Sequence, residues 1–214
     1  SFDLLSCFPA SAEPGKEFTS VTHSNVYFRE PESRADQTRM MSIVTTGSET
    51  GYYVDVFRSR KERGGDKMHD YFYHNLGQTM ALTAADGTDL NLQPTEELAF
   101  AGAHLYGYSY LYDKKVAATG KDVKATFTID MKDKGGDDIV MNLWMKGEPD
   151  REVFTALSPM TEGLSRTPGM PYNIKEQPTL TFVARQHGEA WTRPFVAVYE
   201  PSTKKEPSAI QSVS

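Results

Sequence analysis

Short runs of alternating apolar and polar residues, each closed by glycine, proline, aspartate or asparagine, dominate this chain. No segment sustains a 3.6-residue apolar period over three turns. That pattern confines the chain to sheets packed on sheets. Residues 39–44 and 52–58 flank the glycine-containing stretch 46–51 and read as a hairpin. Further strands are expected at 22–28, 68–75, 104–112, 123–130, 138–145, 178–185 and 194–199, each rich in β-branched and aromatic residues. Hairpin loops are expected at 132–137 and 186–189, and a turn or two of helix at 95–102. Regular strand spacing without intervening helices predicts an all-β fold, an antiparallel β-sandwich or supersandwich with little helix. The expected organisation is a lead-in segment at 1–21 that joins as a loose strand or loop, a sandwich domain at 22–201, and a polar, frayed tail at 202–214.

Composition narrows what such a sandwich does. Hydrophobic residues are 38% of the 214, enough to fill a core and to exclude general disorder. No apolar run approaches the roughly 18 residues of a membrane helix. A formal net charge of −6 argues against a nucleic-acid partner, because neutralising phosphates needs a basic face. The single cysteine, Cys7, excludes an internal disulfide framework and a multi-cysteine zinc cage, and it has no recognisable base beside it. His-x-His, HExxH, phosphate-binding glycine loops and nucleophile elbows are all missing, so neither a metal nor a cofactor is expected. His23, His104 and His187 are scattered and read as singly satisfied side chains. Leu4-Leu5-Ser6-Cys7 matches a lipoprotein cleavage box but lacks the apolar segment that precedes one. The first residue is serine instead of methionine, which suggests a piece processed or excised from something longer.

The most unusual stretch is 68–75. As a strand it places His69, Tyr71 and Tyr73 on one face and Asp70, Phe72 and His74 on the other. The two histidines then point apart and share no metal. Asp70 and His74 are candidates to interact through a neighbour, giving a carboxylate-oriented imidazole, and a His/Tyr pair has the chemistry for proton abstraction and donation. The plainer reading is an aromatic strand whose histidines make core or interface hydrogen bonds. Asp55, on a face with Tyr53 and Phe57, calls for an ion-pair partner, with Arg39, Arg58 and Arg60 as candidates. Arg58, Arg60, Lys61, Arg63 and Lys67 form a basic cluster in an acidic chain, equally a receiver for a uronate or sulfate and an ordinary solvated loop. Tyr106, Tyr108, Tyr110 and Tyr112 fall at period two, which on a strand makes a row for stacking sugars or for filling a sheet interface.

Three segments carry a resemblance: Tyr53-Val54-Asp55-Val56-Phe57-Arg58, His69-Asp70-Tyr71-Phe72-Tyr73-His74-Asn75, and Phe182-Val183-Ala184-Arg185 through to Pro194-Phe195-Val196-Ala197-Val198-Tyr199-Glu200-Pro201. In that order they resemble the C-terminal β-sandwich region of heparinase II/III-like polysaccharide lyases, and Thr22-His23-Ser24-Asn25 is compatible with it. The resemblance implies a parent enzyme that cleaves uronate-containing polysaccharides by β-elimination. It also implies an upstream α/α toroid as partner domain, an acidic polysaccharide as substrate, and a periplasmic or surface location. Members of that family carry an Asn/His/Tyr catalytic set on the toroid and a His-x-His metal site in the sandwich. Neither occurs here, so no catalytic residue and no metal ligand is carried over.

Three functions follow. The first is the sandwich half of such a lyase, inactive alone and shaping the substrate cleft, which implies an exposed apolar patch where the rest would pack. The second is a stand-alone carbohydrate-binding sandwich, with glycan contacts at Arg58, Arg60, Tyr106 and Tyr108. The third is a small lyase using His69, Tyr71 or Tyr73, with His69, Asp70, Tyr73 and His74 as the candidate polar site.

Overall fold

Alternation in the sequence becomes two antiparallel sheets. The structure, a computed structural model, describes residues 2–9, 20–63, 65–160 and 168–213. Its strands are β1 (Phe2–Phe8), β2 (Val21–Arg29), β3 (Asp36–Thr45), β4 (Gly51–Arg60), β5 (Met68–Asn75), β6 (Thr79–Ala84), β7 (Gln93–Pro94), β8 (Tyr112–Ala118), β9 (Val123–Ile129), β10 (Ile139–Met145), β11 (Arg151–Ser158), β12 (Thr179–His187) and β13 (Ala190–Ser202). The larger sheet runs β1-β2-β3-β4-β13-β10-β9-β6 and the smaller β5-β12-β11-β8-β7. The expected β-sandwich is therefore the observed fold.

The core lies between the sheets. Phe127, Leu143, Phe195 and Ala197 of the larger sheet meet Val153, Phe182 and Ala184 of the smaller, all at 0–1% exposure. The chain passes from one sheet to the other at Gly77, whose φ is +153°. A Cβ there would sit 2.7 Å from the Thr128 carbonyl oxygen, so only glycine fits the crossing.

Eight strands face five, and the excess is β1, β2 and β3. Cross-strand register puts Phe2, Leu4, Val26, Phe28, Arg39, Met41 and Ile43 on the same face as the buried Asp55 and Phe57 of β4. β5 covers the Asp55 and Phe57 end of that face through Tyr71, whereas among the described residues Phe2, Leu4, Met41 and Ile43 are 72%, 62%, 44% and 47% exposed.

Several elements differ from the sequence reading. Residues 104–112 were expected as a strand, yet 103–110 is a 3₁₀ helix, Ala103–Tyr110, and 95–102 has no helix. Together these residues form a long crossing that lies over the outer face of the smaller sheet. Leu98, Tyr108 and Leu111 there pack on Phe72, Val116, Phe154 and Val183 as a second small core. β1 is an edge strand paired along its length with β2. β6, β7, β8 and β11 are absent from the sequence reading: β6 and β7 are short, and β8 and β11 carry charged and small residues at covered positions. The tail is tied down at Ser208 and Ala209, which donate hydrogen bonds to the Glu200 carboxylate.

Candidate functional site

β5 is the edge of the smaller sheet and pairs with β12 alone. Its alternation is as expected: Tyr71 and Tyr73 enter the inter-sheet core, while Asp70 and Phe72 face the crossing 95–111. The inner face centres on Asp55, which is wholly buried. Arg39 grips it with Nε at 3.0 Å from Oδ1 and Nη2 at 2.5 Å from Oδ2. The hydroxyls of Tyr71 and Tyr199 donate to the same Oδ2 at 2.8 and 3.2 Å. Asp55 does form the expected ion pair, and its partner is Arg39. Burial and the Asp55 charge push the Tyr199 phenol far above its usual value. Burial pushes Tyr73, stacked on Tyr199 at 4.8 Å, up to about 12. Both shifts favour the protonated phenols of Tyr73 and Tyr199 over their phenolates.

The outer face is organised by Arg185, directly opposite Asp70 on β12. Arg185 donates from Nε and Nη2 to the two Asp70 oxygens at 2.7 and 2.8 Å, and both side chains are under a tenth exposed. Burial opposes the Arg185 charge, but the hydrogen bonds and charge of Asp70 outweigh it and raise its pKa. Tyr108 donates to Asp70 Oδ2 at 2.7 Å, and Glu97 accepts from Arg185 Nη1 at 3.3 Å. Burial, then the Asp70 charge, drives the Tyr108 phenol well above its ordinary range. The cluster fastens the crossing to the sheet.

The anticipated link between Asp70 and His74 is absent. Residues four apart on a strand are separated by about 13 Å, so their contacts come from the neighbouring strand. His74 Nδ1 instead meets Thr181 Oγ1 at 2.9 Å, and Thr181 meets Ser158 Oγ at 2.7 Å. Partial burial lowers the His74 pKa, which favours the neutral ring. His69 Nε2 lies 2.6 Å from Asp66 Oδ1, an acceptor shared with the Lys61 backbone N–H at 2.6 Å.

The basic cluster does not converge. Arg58 donates to the Trp191 carbonyl, and Arg60 lies 4.3 Å from the Trp191 ring centroid while pairing with Glu62. Lys61 and Lys67 go elsewhere, into a cleft of about 750 Å³ that runs round the free edge of β5. Nor do the tyrosines form a row. Successive residues of a 3₁₀ helix turn by a third of a circle, so period-two positions scatter. Tyr106 and Tyr110 are exposed, whereas Tyr108 packs edge-on against Phe72 at 5.3 Å. Arg185, Glu97 and Ser59, all in the cleft wall, are not among the site residues singled out from the sequence; Arg185 meets Asp70 and Glu97 from far along the chain, and nothing local marks Ser59.

Among the described residues, no three His, Cys, Asp or Glu side chains converge as a metal-binding group, and no helix is long and apolar enough to cross a membrane.

Over 192 residues, 88% of its length, the chain is 34% identical to an endo-acting ulvan lyase of Formosa agariphila. The chain is related to a polysaccharide lyase. It spans 22% of the length of that relative. No protein-family model matches the chain.

Proposed function

We propose that this sandwich is the non-catalytic β-domain of a larger polysaccharide lyase that cleaves a uronate-containing glycan by β-elimination. The observation that carries the reading is the 34% identity to an ulvan lyase along nearly the whole chain, confined to 22% of that enzyme. β-Elimination needs a base for the proton α to the uronate carboxylate, an acid for the leaving oxygen, and a cation on the carboxylate. The clusters described above are a poor source of such a set. Arg39 and Arg185 are engaged by Asp55 and Asp70 and so are not free to take a uronate carboxylate, and the raised pKa values of Tyr73, Tyr108 and Tyr199 disfavour the phenolate that a base would need.

In this reading, chemistry belongs to the remainder of the enzyme, which the resemblance to heparinase II/III-like lyases suggests is an α/α toroid. The sandwich helps to wall the substrate cleft, and the enzyme works in the periplasm, at the cell surface or outside the cell. The test is absorbance at 235 nm with ulvan as substrate, comparing the 214-residue chain with the product of the complete reading frame that encodes it. Unsaturated product is expected from the complete product alone. Elimination by the 214 residues alone, or by neither protein, would overturn the proposal.

A further inference from the structure

The cleft at the edge of β5 contains donors that none of the clusters above consumes. Its floor is the last part of the inner face of β3 and β4, where Gln37 and Ser59 are cross-strand partners. Ser59 is 1% exposed, and its Oγ has no hydrogen-bond partner among the described residues. A buried hydroxyl is ordinarily paired, so one left unpaired in a residue that lines the cleft marks a place where a small side-chain adjustment would let it meet a ligand atom. Lys61, two residues beyond Ser59, and Lys67 also line the cleft, and neither forms an ion pair among the described residues.

The acids of the same cleft are all engaged. Asp66 accepts from His69 and the Lys61 backbone, Asp70 from Arg185 and Tyr108, and Glu97 from Arg185. What remains open is therefore two ammonium groups, a hydroxyl and the neighbouring Gln37 amide. That is a set of hydrogen-bond donors whose positive charge is local to Lys61 and Lys67, the three carboxylates and Arg185 of the lining being engaged elsewhere, in a space within the size range of small-molecule sites.

We propose that this cleft binds an acidic saccharide, with Lys61 and Lys67 receiving its carboxylate or sulfate and Ser59 and Gln37 bonding its ring hydroxyls. The saccharide class rests on the lyase reading above; the donor set rests on the geometry alone. Binding here places part of the glycan beside the edge of β5, in a cleft whose lining does not include Trp191, Tyr106 or Tyr110.

The test is calorimetric titration of the 214-residue chain with three probes: a short oligogalacturonate, a sulfated neutral oligosaccharide and the uncharged counterpart of the latter. One or both acidic probes bind, and which one binds tells carboxylate from sulfate recognition. The uncharged sugar is weaker by about tenfold or more, and the double variant K61Q/K67Q loses a similar factor. Ser59→Ala weakens binding several-fold while leaving its salt dependence unchanged, because it removes a neutral contact. K204Q/K205Q, two exposed lysines of the tail, binds as the parent does. Circular dichroism verifies that each variant is folded. Failure of both acidic probes, undiminished binding by K61Q/K67Q, or binding only of an acidic peptide such as hexaglutamate would each overturn the inference. Elimination by the complete enzyme without binding by this chain defeats the cleft alone. Binding without elimination defeats the lyase reading and leaves the cleft standing.

Discussion

The larger sheet contains two regions written in the same pattern that meet different fates. In β9, β10 and β13 the inward residues Phe127, Leu143 and Phe195 are sealed by the smaller sheet at 0% exposure. In β1 and β3 the residues on the corresponding face, Phe2, Leu4, Met41 and Ile43, are open to solvent. Alternation shows that a strand has an apolar face. Whether that face is dry depends on how many strands stand opposite, and here five stand opposite eight. The boundary is bridged by Arg39, which starts on the open side and ends on the buried Asp55.

The largest expected effect that sharpens this contrast is on the sealed side. Phe127→Ala should cost about 3–5 kcal/mol in urea unfolding, through lost burial and the cavity left behind. A loss under about 1 kcal/mol would mean that the two regions differ less than their exposures imply.

Next is the bridge itself. Asp55→Asn removes the charge that Arg39 and two phenols share, for a loss of about 2–3 kcal/mol, moderated because Arg39 is 45% exposed. The same variant should loosen β1–β3 selectively, read as faster amide hydrogen exchange there than in β9 and β10. Uniform acceleration would break the picture of two regions.

Gly77→Ala tests the crossing between the sheets and should cost about 1–3 kcal/mol in thermal unfolding. Leu4→Ser, on the open face, should change stability by no more than about 0.5 kcal/mol. A loss comparable to that of Phe127→Ala would show that the open face is covered in solution.

The smallest effect is a pH dependence. His74 has a folded pKa below its ordinary 6.5, chiefly through burial, so the unfolded chain binds more protons in the window just under that value. Its contribution to stability therefore increases as pH rises through that window and levels off above about 6.5. Substituting His74→Gln should remove that part of the slope. An unchanged pH profile would contradict it.

Much of the fold could be read directly. The 39–44 and 52–58 hairpin became β3 and β4, and 68–75 became β5 with its faces assigned correctly, because a period of two depends on local sterics alone. A partner for Asp55 was legible in part, since a carboxylate in an apolar strand is costly to bury unpaired, but the sequence left Arg39, Arg58 and Arg60 as candidates and the register of β3 on β4 chose Arg39. The site was less legible. The tyrosine row dissolved into a 3₁₀ helix because period two on a short segment does not distinguish an exposed strand from a turn of helix lying on a sheet.

What the sequence determined by itself is therefore the class of element, its faces and the need for a local ion pair, all matters of neighbours within one or two strands. Only the tertiary structure decided that Asp70 belongs to Arg185, 115 positions away, and that Ser59, Lys61 and Lys67 share a cleft with Tyr108. It alone decided that, among the described residues, Phe2, Leu4, Met41 and Ile43 are left exposed while Phe127, Leu143 and Phe195 are sealed. Register between distant strands is set by the packing of the whole core, and no short window of residues contains it.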